Sequence, residues 1–231
     1  MAKAMDAHPV RVAVLGGNGK TGRAVRDALT RRGAESVAIG RPEWQDLAGA
    51  MAGCDAAYLI APNMHPDEPR YVEEAINAMT VAGVRRVVYH SVASPFAPQM
   101  PHHLGKAVSE DLVRRSGLAW TILQPGAYLQ NLDLSSDLEV PYDVNATFGF
   151  ADLAEVAEAS AVVLSEEGHE GATYELASRV ATPAELAAES GHSARRIEAS
   201  VEHPWLAAMF DYYDVHGLPV GTRTLSMLLG R

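Results

Sequence analysis

Short apolar, β-branched runs alternate along this chain with stretches of helical period. Val10–Leu15, Val37–Ile39, Ala56–Ile60, Arg86–Tyr89 and Trp120–Leu123 read as strands. They are apolar on both faces, as strands of a helix-covered parallel sheet are. Between them, Val72, Ala75, Ile76 and Met79 fall at i, i+3, i+4 and i+7, and Leu104, Ala107, Val108 and Leu112 make a second helical stripe. Gly83 and Gly117 stand where these helices should stop. A third stripe, Leu153, Val156, Ala157, Val163 and Leu164, begins after Asp152, whose charge suits a helix N-terminus. Thr182-Pro183-Ala184-Glu185 combines a capping box with proline at the first helical position.

This alternation predicts an α/β fold, a doubly wound and mostly parallel Rossmann-like sheet, with a small C-terminal α-rich subregion on the substrate side. The 231 residues suit a single domain over 1–231, with 134–149 and 178–231 building that subregion. The irregular stretches Ala61–Pro69 and Leu134–Gly149 follow strands or short helices on the expected ligand side. The three prolines of the first also suit a plain surface loop.

With 48% hydrophobic and 21% charged residues, the composition is that of an ordinary globular protein. A net charge of -10 disfavours nucleic acid and anionic membranes as partners. A small-molecule substrate is the expected partner, and a homodimer remains open. The start shows no run of signal-peptide length and no stretch reaches about 18 apolar residues, so a cytoplasmic location is expected. Cys54 is the only cysteine, and the nine histidines show no ligand spacing, so no disulfide and no metal are expected.

The first strand runs into Gly16-Gly17-Asn18-Gly19-Lys20-Thr21-Gly22, followed by the helical pattern of Val25, Ala28 and Leu29. A glycine-rich strand-to-helix turn of this kind lets the backbone reverse, approach a pyrophosphate and pack helix on strand. The helix start beyond it offers free amides to the phosphates. Lys20-Thr21 lacks the spacing of a nucleoside-triphosphate loop. The second strand ends in Arg41 rather than an acid, which favours a 2′-phosphate and hence NADP(H), although Glu43 two residues on keeps NAD open.

These residues resemble the NmrA-like branch of the atypical short-chain dehydrogenases. The resemblance rests on GGNGKTG at Gly16–Gly22, DAAYLIAP at Asp55–Pro62, VRRVVYHS at Val84–Ser91, and the helix, strand and Pro-Gly turn of His103–Leu132. Phe150–Ala161 and Gly171–Leu176 resemble the family's later helix and last core strand. It implies cofactor contacts at Gly16, Asn18, Gly19, Lys20, Thr21, Gly22, Arg41, Ala61, Pro62, Ser91, Lys106, Pro125 and Gly126. Two departures stand out. Gly40–Asp55 is short, so the third strand should be abbreviated, and Gln124 precedes the Pro-Gly turn where relatives commonly carry arginine.

The family includes NADPH-dependent quinone and enone reductases and also regulators that bind the dinucleotide without turnover. A reductase of a small apolar conjugated acceptor is therefore expected, with a dinucleotide sensor and a redox-neutral isomerase or cyclase as alternatives. The Tyr-x-x-x-Lys pair of ordinary short-chain dehydrogenases ends here at Lys106 but begins at His102. Lys106 is expected to anchor the nicotinamide ribose, and His102 is a candidate proton donor titrating near neutrality. Ser91 and His90 end a strand and Tyr128 follows the Pro-Gly turn, which makes Ser91 and Tyr128 further catalytic candidates, with Asn131 beside them. Trp205, Met209, Phe210, Tyr212 and Tyr213 form an aromatic helix able to roof an apolar site or simply to pack.

Overall fold

The computed structural model describes residues 10–231. The leader-free start expected over residues 1–9 lies outside the described residues. In chain order the elements are β1 Arg11–Leu15, α1 Lys20–Arg31, β2 Glu35–Ile39, α2 Leu47–Ala50, β3 Ala56–Leu59, α3 Glu68–Ala82, β4 Arg86–His90 and α4 Pro101–Arg114. There follow β5 Ala119–Pro125, β6 Ala127–Tyr128, β7 Leu138–Val140, β8 Phe148–Ala151, α5 Leu153–Ser165, β9 Ala172–Leu176 and β10 Arg179–Ala181. The last are α6 Pro183–Glu189, β11 Ala194–Arg196, α7 Pro204–His216 and α8 Arg223–Leu228.

A six-stranded parallel sheet in the order β2-β1-β3-β4-β5-β9 forms the centre. The order reverses between β1 and β3, so the crevice for a ligand opens above the carboxyl ends of these strands. Val12 and Val14 pack to one side with Ala28 and Leu29 of α1 and the inner face of α5. Ala13 and Leu15 pack to the other side with α2 and α3. The alternation explains why β1 reads as apolar throughout. The expected strands and the Gly83 stop are all present, Gly83 taking the left-handed conformation at φ 76°. Thr182 makes its capping box with Glu185.

Three expectations are corrected. The stretch 40–55, expected to hold a shortened third strand, contains only a turn of tight helix at Pro42–Asp46 and the single-turn α2. Sixteen residues that must pass from the end of β2 back to the start of β3 leave no room for another extended pass. The stripe Leu104, Ala107, Val108 and Leu112 does not face the core as a unit, for Leu104 and Val108 are exposed. The buried face of α4 carries His102, His103, Lys106, Ser109, Glu110 and Val113 instead. It turns titratable groups inward because it packs over the polar carboxyl ends of β4 and β5. Lastly, α8 does not join the substrate side; Leu225 packs into the cluster of α1 and α5.

A third apolar cluster lies above the sheet. It gathers Leu138, Tyr142, Phe148, Phe150, Tyr213 and Val220 around the small sheets β10-β8-β6 and β11-β7 and helices α6 and α7. Asp152 couples this layer to α5. Its Oδ1 accepts from the amides of Ala154 and Glu155, and its Oδ2 accepts from the Gln130 amide at 2.8 Å. Asp152→Ala should therefore cost about 1–2 kcal/mol of stability, a fall in Tm of about 2–8 °C for a chain of this size, measured by thermal unfolding against the parent protein.

Candidate active site

The turn after β1 is held by its glycines. Gly16 lies at φ 77°, and its amide and that of Gly17 both reach the Ile39 carbonyl at the end of β2. A Cβ on Gly22 would stand 2.3 Å from the Gly16 carbonyl, so only glycine lets α1 start this close to the turn. At Gly19 the nearest atom to an added Cβ is the Gly16 carbonyl at 3.3 Å, and the remaining side is open. Close packing at Gly22 and free space at Gly19, ahead of the amides of α1, fit a pyrophosphate.

At the tip of β2, Arg41 is exposed; its carbonyl accepts from the Trp44 amide at 3.2 Å, and its guanidinium makes no hydrogen bond or ion pair with the described residues. Glu43 is turned away from a ribose role, because its Oε2 accepts from the Gly40 amide at 2.7 Å. Arg23 of α1 donates to the Asn18 carbonyl at 2.6 Å, a second cation beside the turn that the sequence pattern did not single out. Lys20 is exposed and reaches the Gln130 carbonyl at 3.5 Å.

From Thr21, at the helix end of this turn, a cleft of about 900 Å³ runs across the carboxyl edge of the sheet, and Gly16, Asn18, Gly19, Lys20, Gly22 and Arg41 lie outside its lining. Thr21, Ala61, Ser91, Lys106, Pro125 and Gly126 line it, whereas Pro62 is exposed and does not. Its far end is floored by Tyr142, Phe148, Phe150, Phe210 and Tyr213, with Met209 beside them. Of the aromatic helix, Trp205 and Tyr212 stay off the cleft, Tyr212 packing against His216.

Lys106 is buried, and its ammonium donates to Glu68 Oε1 at 2.7 Å and to the His90 carbonyl at 3.3 Å. Two of its three N–H groups are thus used, and one remains for the cleft. Tyr89 donates to the same Glu68 oxygen at 2.7 Å, while Glu68 Oε2 is buried without a partner. Glu68 escaped the sequence reading because it sits in the proline-rich stretch before α3, with no periodicity to mark it as internal. A second buried carboxylate, Glu110, accepts from Ser91 at 2.5 Å, from Gln124 at 2.7 Å and from Arg114 at 3.0 Å. The Ser91 hydroxyl therefore spends its hydrogen on Glu110 and faces the cleft only as an acceptor. With Arg114 already opposite Glu110, the neutral Gln124 completes the set where a further cation would be redundant.

His102 also lines the cleft but does not titrate near neutrality. Burial, then the Lys106 charge, pulls its pKa down to about 4. As a proton donor it is thus a neutral imidazole, not an imidazolium. His103 is held near 4 chiefly by burial, and its Nδ1 lies 3.2 Å from the Ser94 carbonyl, to which it donates. His90 is pulled down to about 3 by burial and by Lys106. Its ring contacts the Tyr58 hydroxyl through Nδ1 and the Tyr128 hydroxyl through Nε2, the latter at 3.2 Å. Asn131 is exposed at the rim.

A family model described as NAD(P)H-binding matches residues 42–167, more than half of the chain. The chain belongs to that NAD(P)H-binding family. Its sequence is 28% identical to the NAD(P)H azoreductase of Xenophilus azovorans over 197 residues, 77% of this chain and 68% of the relative. It is 29% identical to quinone oxidoreductase 2 of Escherichia coli over 170 residues, 68% of this chain and 58% of the relative. The chain thus spans between about half and two thirds of these relatives. The crystal structure of the NADPH-dependent quinone oxidoreductase QOR2 of Escherichia coli with NADPH superposes with a TM-score of 0.78 at 24% identity, covering 95% of both chains. NmrA, a negative transcriptional regulator solved with NAD, superposes at 0.74 and 16% identity over 97% of this chain and 92% of its own. The fold is that of the NmrA-like atypical short-chain dehydrogenases.

Two outcomes follow for this NAD(P)H-binding site. Gly19→Val should fill the space kept open above α1 and abolish dinucleotide binding in a folded protein, as read by calorimetric titration with NADPH. The three buried imidazoles should make the protein acid-labile. Unfolded, each takes up a proton below its ordinary pKa of 6.5, whereas folded they resist to about 3 for His90 and about 4 for His102 and His103. The unfolded chain then binds more protons, so stability is full above pH 6.5 and falls toward pH 4, by up to about 1.4 kcal/mol per pH unit for each ring. Urea unfolding across that range checks it; a midpoint flat between pH 7 and 5 would contradict it.

Proposed function

We propose that this chain is an NADPH-dependent oxidoreductase that reduces a small apolar conjugated acceptor, a quinone, an enone or an aromatic carbonyl, in the cytoplasm. The observation that carries the reading is the continuity of one cleft from Thr21, at the helix end of the glycine turn, to an aromatic floor. A dinucleotide laid on the turn extends along the strand ends past Ser91 and Lys106, and a flat apolar acceptor fits the floor beyond. The relatives that are an azoreductase and a quinone oxidoreductase support the same chemistry.

Bound NADPH would supply a hydride to the acceptor, which takes one proton from solvent, so that acceptor, NADPH and a proton give reduced acceptor and NADP+. The protein's own share is binding, orientation and polarity. Lys106, fixed by Glu68, holds a ribose hydroxyl with its remaining N–H. The aromatic floor excludes water beneath the acceptor and favours its planar face. Charge developing on the acceptor oxygen meets the Tyr128 hydroxyl and the neutral His102 ring at the cleft wall. Arg41, exposed at the tip of β2, receives the 2′-phosphate.

Incubation of the purified protein with NADPH and a panel of quinones and enones, followed by the loss of reduced-cofactor absorbance, tests the activity. Tight NADPH binding with no turnover across the panel would replace this reading with that of a dinucleotide sensor. The protein should prefer NADPH over NADH by at least about tenfold, or about 1.4 kcal/mol. Arg41→Ala should erase the preference by weakening NADPH alone, and equal affinities in the unmodified protein would show that Arg41 does not read the phosphate.

A further inference from the structure

Behind the cleft wall, four polar side chains from four elements stand in file: Ser160 of α5, Tyr58 of β3, His90 of β4 and Tyr128 of β6. Ser160 and Tyr58 are wholly buried, His90 lines the cleft but is almost wholly buried, and Tyr128 lines it with part of its surface exposed. The direction in which hydrogens run along this file decides what Tyr128 offers to a ligand.

Ser160 is settled first. Its hydroxyl gives its hydrogen to the Val156 carbonyl at 2.7 Å, so toward Tyr58, 3.5 Å away, its oxygen can only accept. His90 is neutral, held so by burial and by the nearby Lys106 ammonium. A neutral imidazole has one N–H and one lone pair, which leaves two directions. In one, Tyr58 donates to Nδ1, Nε2–H donates to the Tyr128 oxygen, and the Tyr128 hydrogen is released into the cleft. In the other, Nδ1–H donates to Tyr58, the Tyr58 hydrogen goes to Ser160, and Tyr128 turns its hydrogen inward to Nε2.

The strongest pairing available is a phenol hydrogen on an imidazole lone pair. The first direction gives the buried Tyr58 hydrogen that pairing, with Nδ1 inside hydrogen-bond reach. The second places it at the 3.2 Å contact with Tyr128 and sends the buried Tyr58 hydrogen across 3.5 Å, at the limit of a hydrogen bond. A buried donor without a sound acceptor loses its hydrogen bond to water and gains nothing in return. We infer that Tyr58 and His90 are positioning residues that turn the Tyr128 O–H into the cleft, where Tyr128 donates to the oxygen of the bound acceptor.

The inference rests on the reductase reading for what Tyr128 meets, but not for the direction of the file, and the two are tested apart. Nitrogen-15 spectroscopy of the histidine-labelled protein, with His90 assigned by cross-peaks to the Tyr58 and Tyr128 rings, reports which ring nitrogen carries the hydrogen. We expect pyrrole-type Nε2 and pyridine-type Nδ1, unchanged between pH 5 and pH 8. A pyridine-type Nε2, an even mixture or a charged ring in that range would overturn the inference, whether or not the protein turns over any acceptor. In turnover, Tyr58→Phe should lower kcat by about tenfold with the KM for NADPH unchanged, because His90 is then free to recapture the Tyr128 hydrogen. The same change made on Tyr128→Phe should cost nothing further. Losses that add in the double variant would show that Tyr58 acts only through packing and would overturn the positioning role. Absence of turnover throughout, with the expected ring assignment, would sink the reductase reading and leave the direction of the file standing.

Discussion

A buried ammonium needs a buried carboxylate, and at Lys106 that requirement organises the surroundings of the cleft. Glu68 can meet it only because α3 begins where it does, capped by Asp67, whose side chain accepts from the Arg70 amide. The same Glu68 oxygen holds the Tyr89 hydroxyl, and the ammonium itself grips the carbonyl of His90. The start of α3, the end of β4 and the inner face of α4 are therefore tied at one point. Removing either charge would leave the other stranded in low dielectric, a loss of about 3–5 kcal/mol. Burial first, and the positive field of Lys106 second, keep His90 and His102 neutral.

One turn further along α4, Glu110 repeats the device with different partners, gathering Ser91, Gln124 and Arg114. The two carboxylates play unlike parts. Glu110 is satisfied on both oxygens and joins β4 to β5, so it serves rigidity. Glu68 keeps one oxygen unpartnered, so its charge rests on Lys106 and Tyr89 at the other oxygen alone. A helix whose inward face is built this way cannot be recognised by apolar spacing.

That is where the sequence was legible and where it was not. Runs such as Val12–Leu15 and Val87–Tyr89 declare themselves because burial on both faces demands apolar residues at every position. The glycine turn is legible because its glycines answer demands of space, as Gly22 does where a Cβ would come within 2.3 Å of the Gly16 carbonyl oxygen. Lys106 and Tyr128 were marked by spacing and by the Pro-Gly turn. Glu68, Glu110 and Tyr58 were not, since their importance lies in contacts across 19 to 38 positions of chain that no local pattern encodes. The inward turn of His102 was missed for the same reason: a His-His pair before a helix looks exposed until the helix is placed over the strand ends.

The missing strand beyond β2 leaves that strand at the edge of the sheet, with Arg41 at its tip in open water. A charge in that position acts through solvent rather than through a low-dielectric wall, and dissolved ions shield it within about 8–10 Å. The NADPH preference proposed for Arg41 would therefore be a property of the medium as much as of the protein: sharp in dilute buffer and blunted as ionic strength rises, while a pyrophosphate held by the backbone amides of the glycine turn would feel the change far less.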